Sequence, residues 1–458
     1  MARSWWFILV LAAVAAGAAI VPGSRSSGQA APPATAPVTA QARDEAIRRG
    51  FEFLDRKVWE LNEGGSPQKQ YTIAMTAWAS LLATDREGGA AKLPSRAKEL
   101  ERLRKYLERY VATVAAQYEK DDEKNRRRGR KAGEAPAEED PFAAFSKPAQ
   151  YVWPVAMAAH YFAESLVRGR DKTEAKQALK DAVAVLEAAQ QPDGGWGHDD
   201  AARPGMGMPP IKIPKPGGGD DVYPPTLLAA SHCALSALGV AHARLATRER
   251  ESLAKGVKYF SAAQNENGTF PYDPTQRHAL AGAAGAMAGG IEIARTPGAF
   301  FALVCAGAPL AGREIREAAR AMDRDPASWS EGHGSATMAL QFAALAARAR
   351  GELAWAAFRR EYFPRILAHQ DESGAFTCVA KAENAGVTSD TAPLPGLSGM
   401  SEWTSHQKVY VTSIHVLILL LDRSKVGAIP PMPAPAGPAT ETGGSGAPAA
   451  NPDGSPGS

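Results

Sequence analysis

The sequence predicts an all-α protein in which six helix pairs close into a double ring, and three observations lead there. A spaced motif recurs: Leu186, Gln190, Gly194 and Trp196 are followed by Phe260, Gln264, Gly268 and Phe270, and then by Ile366, Gln370, Gly374 and Phe376. A unit that returns at constant internal spacing marks a repeat architecture. Amphipathic segments alternate with segments apolar on nearly every side, and a helix of the second kind must be covered by protein. The last such segment, VYVTSIHVLILLL, is the most apolar of all. That is unsuited to the polar cap of an open solenoid, so the ring is expected to close.

The elements follow in order. Arg43 to Trp59 places Ile47, Phe51, Leu54 and Val58 on one face, the spacing of an amphipathic helix. After a Gly-Gly-Ser-Pro break, Tyr71 to Ala83 is apolar all round. The same alternation pairs Leu100–Tyr118 with Tyr151–Leu166, Lys176–Gln190 with Tyr223–Ala241, and Glu251–Gln264 with Pro297–Gly307. A degraded copy, Glu314 to Met322, keeps Trp329 in its loop and leads to Ser335–Arg348, and Arg359–Gln370 leads to Val409–Asp422. Glu119 to Asp140 mixes charges with Gly and Pro and reads as a solvated loop. Gly282 to Gly290 lacks the Gly-Lys-Ser/Thr of a phosphate loop and reads as a connection before Ile291.

Composition bounds what surrounds this ring. With 45% hydrophobic and 22% charged residues the chain is globular, and a net charge of +3 offers no electrostatic footprint for nucleic acid. Arg3, the apolar run Trp5–Val21 and small Gly28 and Ala30 read as a secretory signal over residues 1–30. Export to the periplasm or beyond is expected, with no stable membrane span after cleavage. An uncleaved N-terminal anchor is the alternative, since the apolar run is close to the shortest membrane span. Residues 31–41 form a Pro/Ala linker, 42–426 the ring, and 427–458 a disordered tail of Pro, Ala, Gly and Ser. Cys233, Cys305 and Cys378 are far apart and read as small buried apolar residues.

Lys255-Gly256, Tyr259-Phe260, Gln264, Gly268 and Phe270 resemble the QW motif of the squalene-hopene cyclase and protein prenyltransferase superfamily, and Lys180–Trp196 and Arg359–Phe376 are similar. The resemblance spans about Gln41 to Asp422 by periodicity. It implies an α6–α6 toroid with a central apolar cavity, in which the glutamine ties its loop to a neighbouring helix end. The residues alone support a scaffold role for these positions. A glutamine amide pairs backbone groups at helix termini, and the glycines permit positive φ at the turn.

The chemistry of that superfamily is less visible. Its cyclases start from a D-x-D-D-T-A acid. The nearest string here is Val387 to Ala392, where Asp390 remains as a candidate catalytic acid but Ser389 occupies the proton donor's place, and a hydroxyl cannot protonate an alkene. Prenyltransferases bind zinc through Asp, Cys and His, but adjacent His232 and Cys233 diverge by about 100° on a helix, so no metal is expected. Nor is a cofactor expected. Asp199-Asp200 and Asp220-Asp221 flank an insertion at 201–219, and the second pair reads as a helix N-terminal cap. A sharper reading puts His198, Asp200, Asp220 and Asp221 at the cavity mouth as acid/base groups or a divalent-cation site, with Met206, Met208, Ile211 and Ile213 as a lid or packed on the ring edge. Tyr71, Tyr151, Trp153, Tyr223, Arg295, His333, Trp403, His406 and Tyr410 would line one mouth by packing the ring top or by binding a ligand, and His232 reads as a core histidine with ligand binding as the alternative.

These observations give three function classes. The first is an exported toroid binding an apolar, isoprenoid-like small molecule or lipid, without the standard catalytic motifs. The second is an envelope scaffold with a protein partner. The third is a carbohydrate-active (α/α)6 enzyme, which requires two carboxylates facing one cleft.

Overall fold

The computed structural model describes residues 38–61, 67–84, 96–130, 152–170, 172–197, 211–214, 220–223, 226–247, 251–271, 285–330, 336–379, 400–422 and 426–427, with backbone alone at 67–68, 121–130, 211–223, 285–293 and 400–406. The fold is all-α, with one small ribbon. Among the described residues the helices are α1 (Ala40–Lys57), α2 (Pro67–Ala83), α3 (Arg96–Arg130), α4 (Val152–Val167), α5 (Lys172–Ala188) and α6 (Leu228–Leu245). They continue as α7 (Glu251–Ala263), α8 (Gly285–Cys305), α9 (Arg313–Arg324), α10 (Ala336–Arg350), α11 (Glu352–Ala368) and α12 (Met400–Leu420). No helix among them is long and apolar enough to cross a membrane.

Local chemistry sets the ends and faces of these helices. Thr39 caps α1 by accepting from the Ala42 amide at 3.1 Å, so the helix starts inside the span read as linker. Ile47, Phe51 and Leu54 are buried on its inner face, while Arg48 and Glu52 stay exposed. From Tyr71 to Ala83 every residue of α2 is buried, and α6 is the same from Ala230 to His242. The even-numbered helices contact one another in sequence, α2 to α4, α6, α8, α10 and α12, and α12 returns to α2. Each odd helix covers an even one: α1 packs on α12, α3 on α2, α5 on α4, α7 on α6, α9 on α8 and α11 on α10.

The motif loops join the odd helices to each other. The Gln190 amide donates to its own loop at Gly194 O (2.9 Å) and across to Ser252 O of α7 (2.9 Å). Gln264 does the same to Gly268 O (3.3 Å) and Glu314 O of α9 (2.9 Å), and Gln370 to Gly374 O (3.0 Å) and Ala46 O of α1 (2.9 Å). The third link therefore ties the last repeat to the first helix. Gly194, Gly268 and Gly374 have φ of +93°, +83° and +91°, and a Cβ on any of them would lie 2.3 Å from a carbonyl of the next odd helix. Only glycine meets both conditions. Trp196 and Phe376 point their amides at inner-helix hydroxyls, Ser231 and Thr412, both at 2.9 Å. Trp329 of the degraded copy is buried and donates to Met322 O at 3.2 Å, much as Trp196 donates to Leu186 O at 2.7 Å.

Four stretches depart from the sequence reading. The helix expected to end at Tyr118 runs to Arg130 as α3, taking in the first half of the predicted loop. Asp122 and Glu123 stand four residues ahead of Arg126 and Arg127, a helix-supporting spacing outweighed in the sequence by Gly and Pro further on. α8 starts at Gly285 and carries Pro297 inside it, although proline marks a helix start when only the sequence is weighed. Here buried Ala294, Thr296 and Phe300 hold the turn in place. α11 begins at Glu352, a turn or two before the Arg359 expected as its start. Finally, Ile211–Pro214 and Asp220–Tyr223 form an antiparallel ribbon, and α6 begins only at Leu228. Asp220-Asp221 therefore belongs to a strand and not to a helix cap.

Candidate functional site

The two longest connections, 189–227 and 369–399, lead into α6 and α12, whereas Gly351 alone joins α10 to α11. Both long connections therefore enter at the N-terminal ends of apolar helices. The residues a turn or two inside those ends form the candidate site.

Tyr71 of α2 donates its hydroxyl to Gln341 Oε1 of α10 at 2.8 Å. The Gln341 amide in turn lies 3.5 Å from the Met157 sulfur of α4. In the contact order given above, α10 and α4 are three steps apart, so this chain of contacts crosses the middle of the helix assembly. Met157 and Gln341 are both fully buried. Tyr410 of α12 packs against Tyr71 with ring centroids 5.6 Å apart. His232 of α6 meets Phe342 edge-on at 4.3 Å and lies against Gly298 of α8, where a Cβ would come within 2.7 Å of its Nδ1. Deeper along the helices, Trp78 stacks on His160 at 5.3 Å, and His160 approaches Phe301 at 6.0 Å. Trp153 and Arg295 are only partly buried.

The electrostatics of this layer are those of neutral groups. Burial, helped by Arg295, lowers the His232 imidazole to about 3, so it is uncharged at neutral pH. Burial pushes the Cys233 thiol well above its ordinary range, which removes a thiolate. A hydroxyl, an amide, a thioether and a neutral imidazole can position a ligand, but they supply no strong acid for an alkene. The described buried carboxylates are engaged elsewhere. Asp422 accepts from Arg43, from Arg359 at 2.9 Å and from Trp355 at 3.0 Å, and Glu164 from Arg168 at 2.6 Å. Among the described residues no group of three His, Cys, Asp or Glu side chains converges to hold a metal.

Of the site residues read from the sequence, Tyr410 packs on Tyr71, while His232 lies against Phe342 and Gly298. His198, Asp200 and Asp390 lie outside the described residues, as do Met206 and Met208. Trp403 is in the first turn of α12, with only its backbone described. On the ribbon Asp221 pairs with Ile213, Asp220 with Pro214 and Tyr223 with Ile211. Gln341, Met157 and His160 were missed by sequence reasoning. Their signal was available: Gln341 and His160 are isolated polar residues within apolar helices, and such residues are buried only with a purpose or a partner.

No family of known proteins matches the sequence. A solved structure described as a glycosidase aligns with a TM-score of 0.44 at 12% sequence identity, over 86% of this chain and 100% of that one.

Proposed function

We propose that the chain is an exported α6–α6 toroid that works as a binding scaffold, not as a cyclase or prenyltransferase, and that its working face is the rim at the N-terminal ends of the even helices. The cyclic contacts α2 to α12 and back support the six-repeat ring, as does the Gln370 link from the last repeat to α1. One observation carries the functional reading. Tyr71, Gln341 and Met157 occupy the space in which a long apolar substrate would lie.

A second reading, a short apolar ligand seated above the Tyr71–Gln341 layer, is favoured by partly buried Trp153 and Arg295. Native mass spectrometry of the protein purified from its exported fraction separates the two. The scaffold reading expects only the mass of the chain, and no shift in unfolding temperature with farnesol or geranylgeraniol. A stoichiometric co-purified isoprenoid, or a saturable stabilisation by either alcohol, would overturn it.

A further inference from the structure

We propose that the core contains an acid switch: His160, His232 and His415 hold the even helices together only while their imidazoles are neutral, so the fold opens on passing from neutral to mildly acidic surroundings. The three are 0%, 7% and 0% exposed and belong to α4, α6 and α12. The Ser236 hydroxyl donates to Cys233 O at 3.0 Å, so its oxygen accepts Nε2–H of His160, also at 3.0 Å, and Nδ1 of that ring is left bare. His232 Nε2 and both nitrogens of His415 likewise have no hydrogen-bond partner among the described residues.

Their surroundings are apolar or positive. His160 lies between Trp78 of α2 and Phe301 of α8, His232 against Phe342 of α10, and His415 against Phe376. Phe301 and Phe342 are themselves in contact at 6.1 Å, which places two of the imidazoles around one aromatic pair. The charged or titratable groups acting on the three are Arg295 of α8 on His232 and His369, after α11, on His415, and both oppose proton uptake. None of the three faces a carboxylate among the interactions described. A proton arriving on any of them would make an unpaired buried cation, which is costly enough to be expelled or to open the structure.

The direction follows from linkage. Burial lowers each imidazole to about 3, whereas an exposed histidine titrates near its ordinary value of 6.5. Above that value both states are neutral and the histidines do not alter stability. As pH falls through 6.5 the unfolded chain binds protons that the folded chain refuses, so stability is lost progressively down to about 3. Between pH 6 and 5 each histidine should raise the unfolding constant about eightfold, and the three together about five-hundredfold.

Urea denaturation of the full chain at pH 7.5, 6.0 and 5.0 reads this directly. The expected result is a rise of fifty-fold or more between pH 6 and 5. The single variants His160→Phe, His232→Leu and His415→Leu should each remove about eightfold of it. A smaller rise, or variants that leave it unaltered, would overturn the proposal. Where a variant does not fold, histidine-selective NMR of the wild-type protein decides. Three ring signals that do not move between pH 7.5 and 5.5 are required, and three that titrate near 6.5 in the folded state refute the switch.

Discussion

Replacing Gly374 with alanine tests the link that joins the last repeat to the first helix. Two costs can be separated. At φ +91° an alanine is strained by roughly 1–2 kcal/mol wherever it sits. The new Cβ would also lie 2.3 Å from Arg49 O, so the loop must retreat from α1. That retreat stretches the Gln370–Ala46 bond (2.9 Å) and the Arg49–Asp371 O bond (2.6 Å). Two such bonds, one of them charge-assisted, are worth roughly 2–3 kcal/mol together, giving about 4 kcal/mol in all. Gly307 is the control, since its φ is +77° with nothing within 4 Å of a built Cβ, and only the strain applies. For the stretch from Val38 to Asp422, of about 385 residues, unfolding entropy near 2.1 cal/mol/K per residue converts these costs to about 5 °C for Gly374→Ala and about 2 °C for Gly307→Ala. Thermal unfolding followed by far-ultraviolet circular dichroism measures both. Equal shifts in the two variants would show that the close approach to α1 contributes nothing, and the closing link would have to be abandoned.

Three further outcomes are expected. Asp422→Ala takes the carboxylate away from Arg43 and from Arg359, whose side chain is 42% exposed, and should destabilise by about 2 kcal/mol, measured by urea unfolding; a change below about 0.5 kcal/mol would mean that the cluster is ornamental. Gln341→Leu should cost roughly 1–3 kcal/mol because the buried Tyr71 hydroxyl loses its acceptor, whereas the double variant with Tyr71→Phe removes both polar partners and should recover most of it; a double variant no more stable than the single one contradicts this. Trp329→Ala should cost about 3–5 kcal/mol by calorimetry, as for any large buried ring; a smaller loss would show that the degraded copy no longer carries the core.

Much of the helical pattern was readable because it is local. The burial of α2 and α6 on all sides follows from runs with no polar face, and α1 shows its inner face through Ile47, Phe51 and Leu54. Element ends were less readable. Pro297 inside α8 and the charged extension of α3 both depend on context that outweighs residue preference. The ribbon at Ile211–Tyr223 has no strong alternation to announce it and displaced a predicted helix start.

By itself the sequence determined the repeating grid of glutamine, glycine and aromatic and the alternation of amphipathic and apolar helices. Each is a property of residues close together in the chain, where spacing and residue type are sufficient evidence. Only the tertiary structure decided which carbonyl each glutamine reaches, that Gln370 returns to Ala46, and that Gln341 meets Met157 across the assembly. It also decided that three histidines, His160, His232 and His415, are buried in the core. Those facts depend on which helices become neighbours, and residues hundreds of positions apart carry no local mark of being in contact.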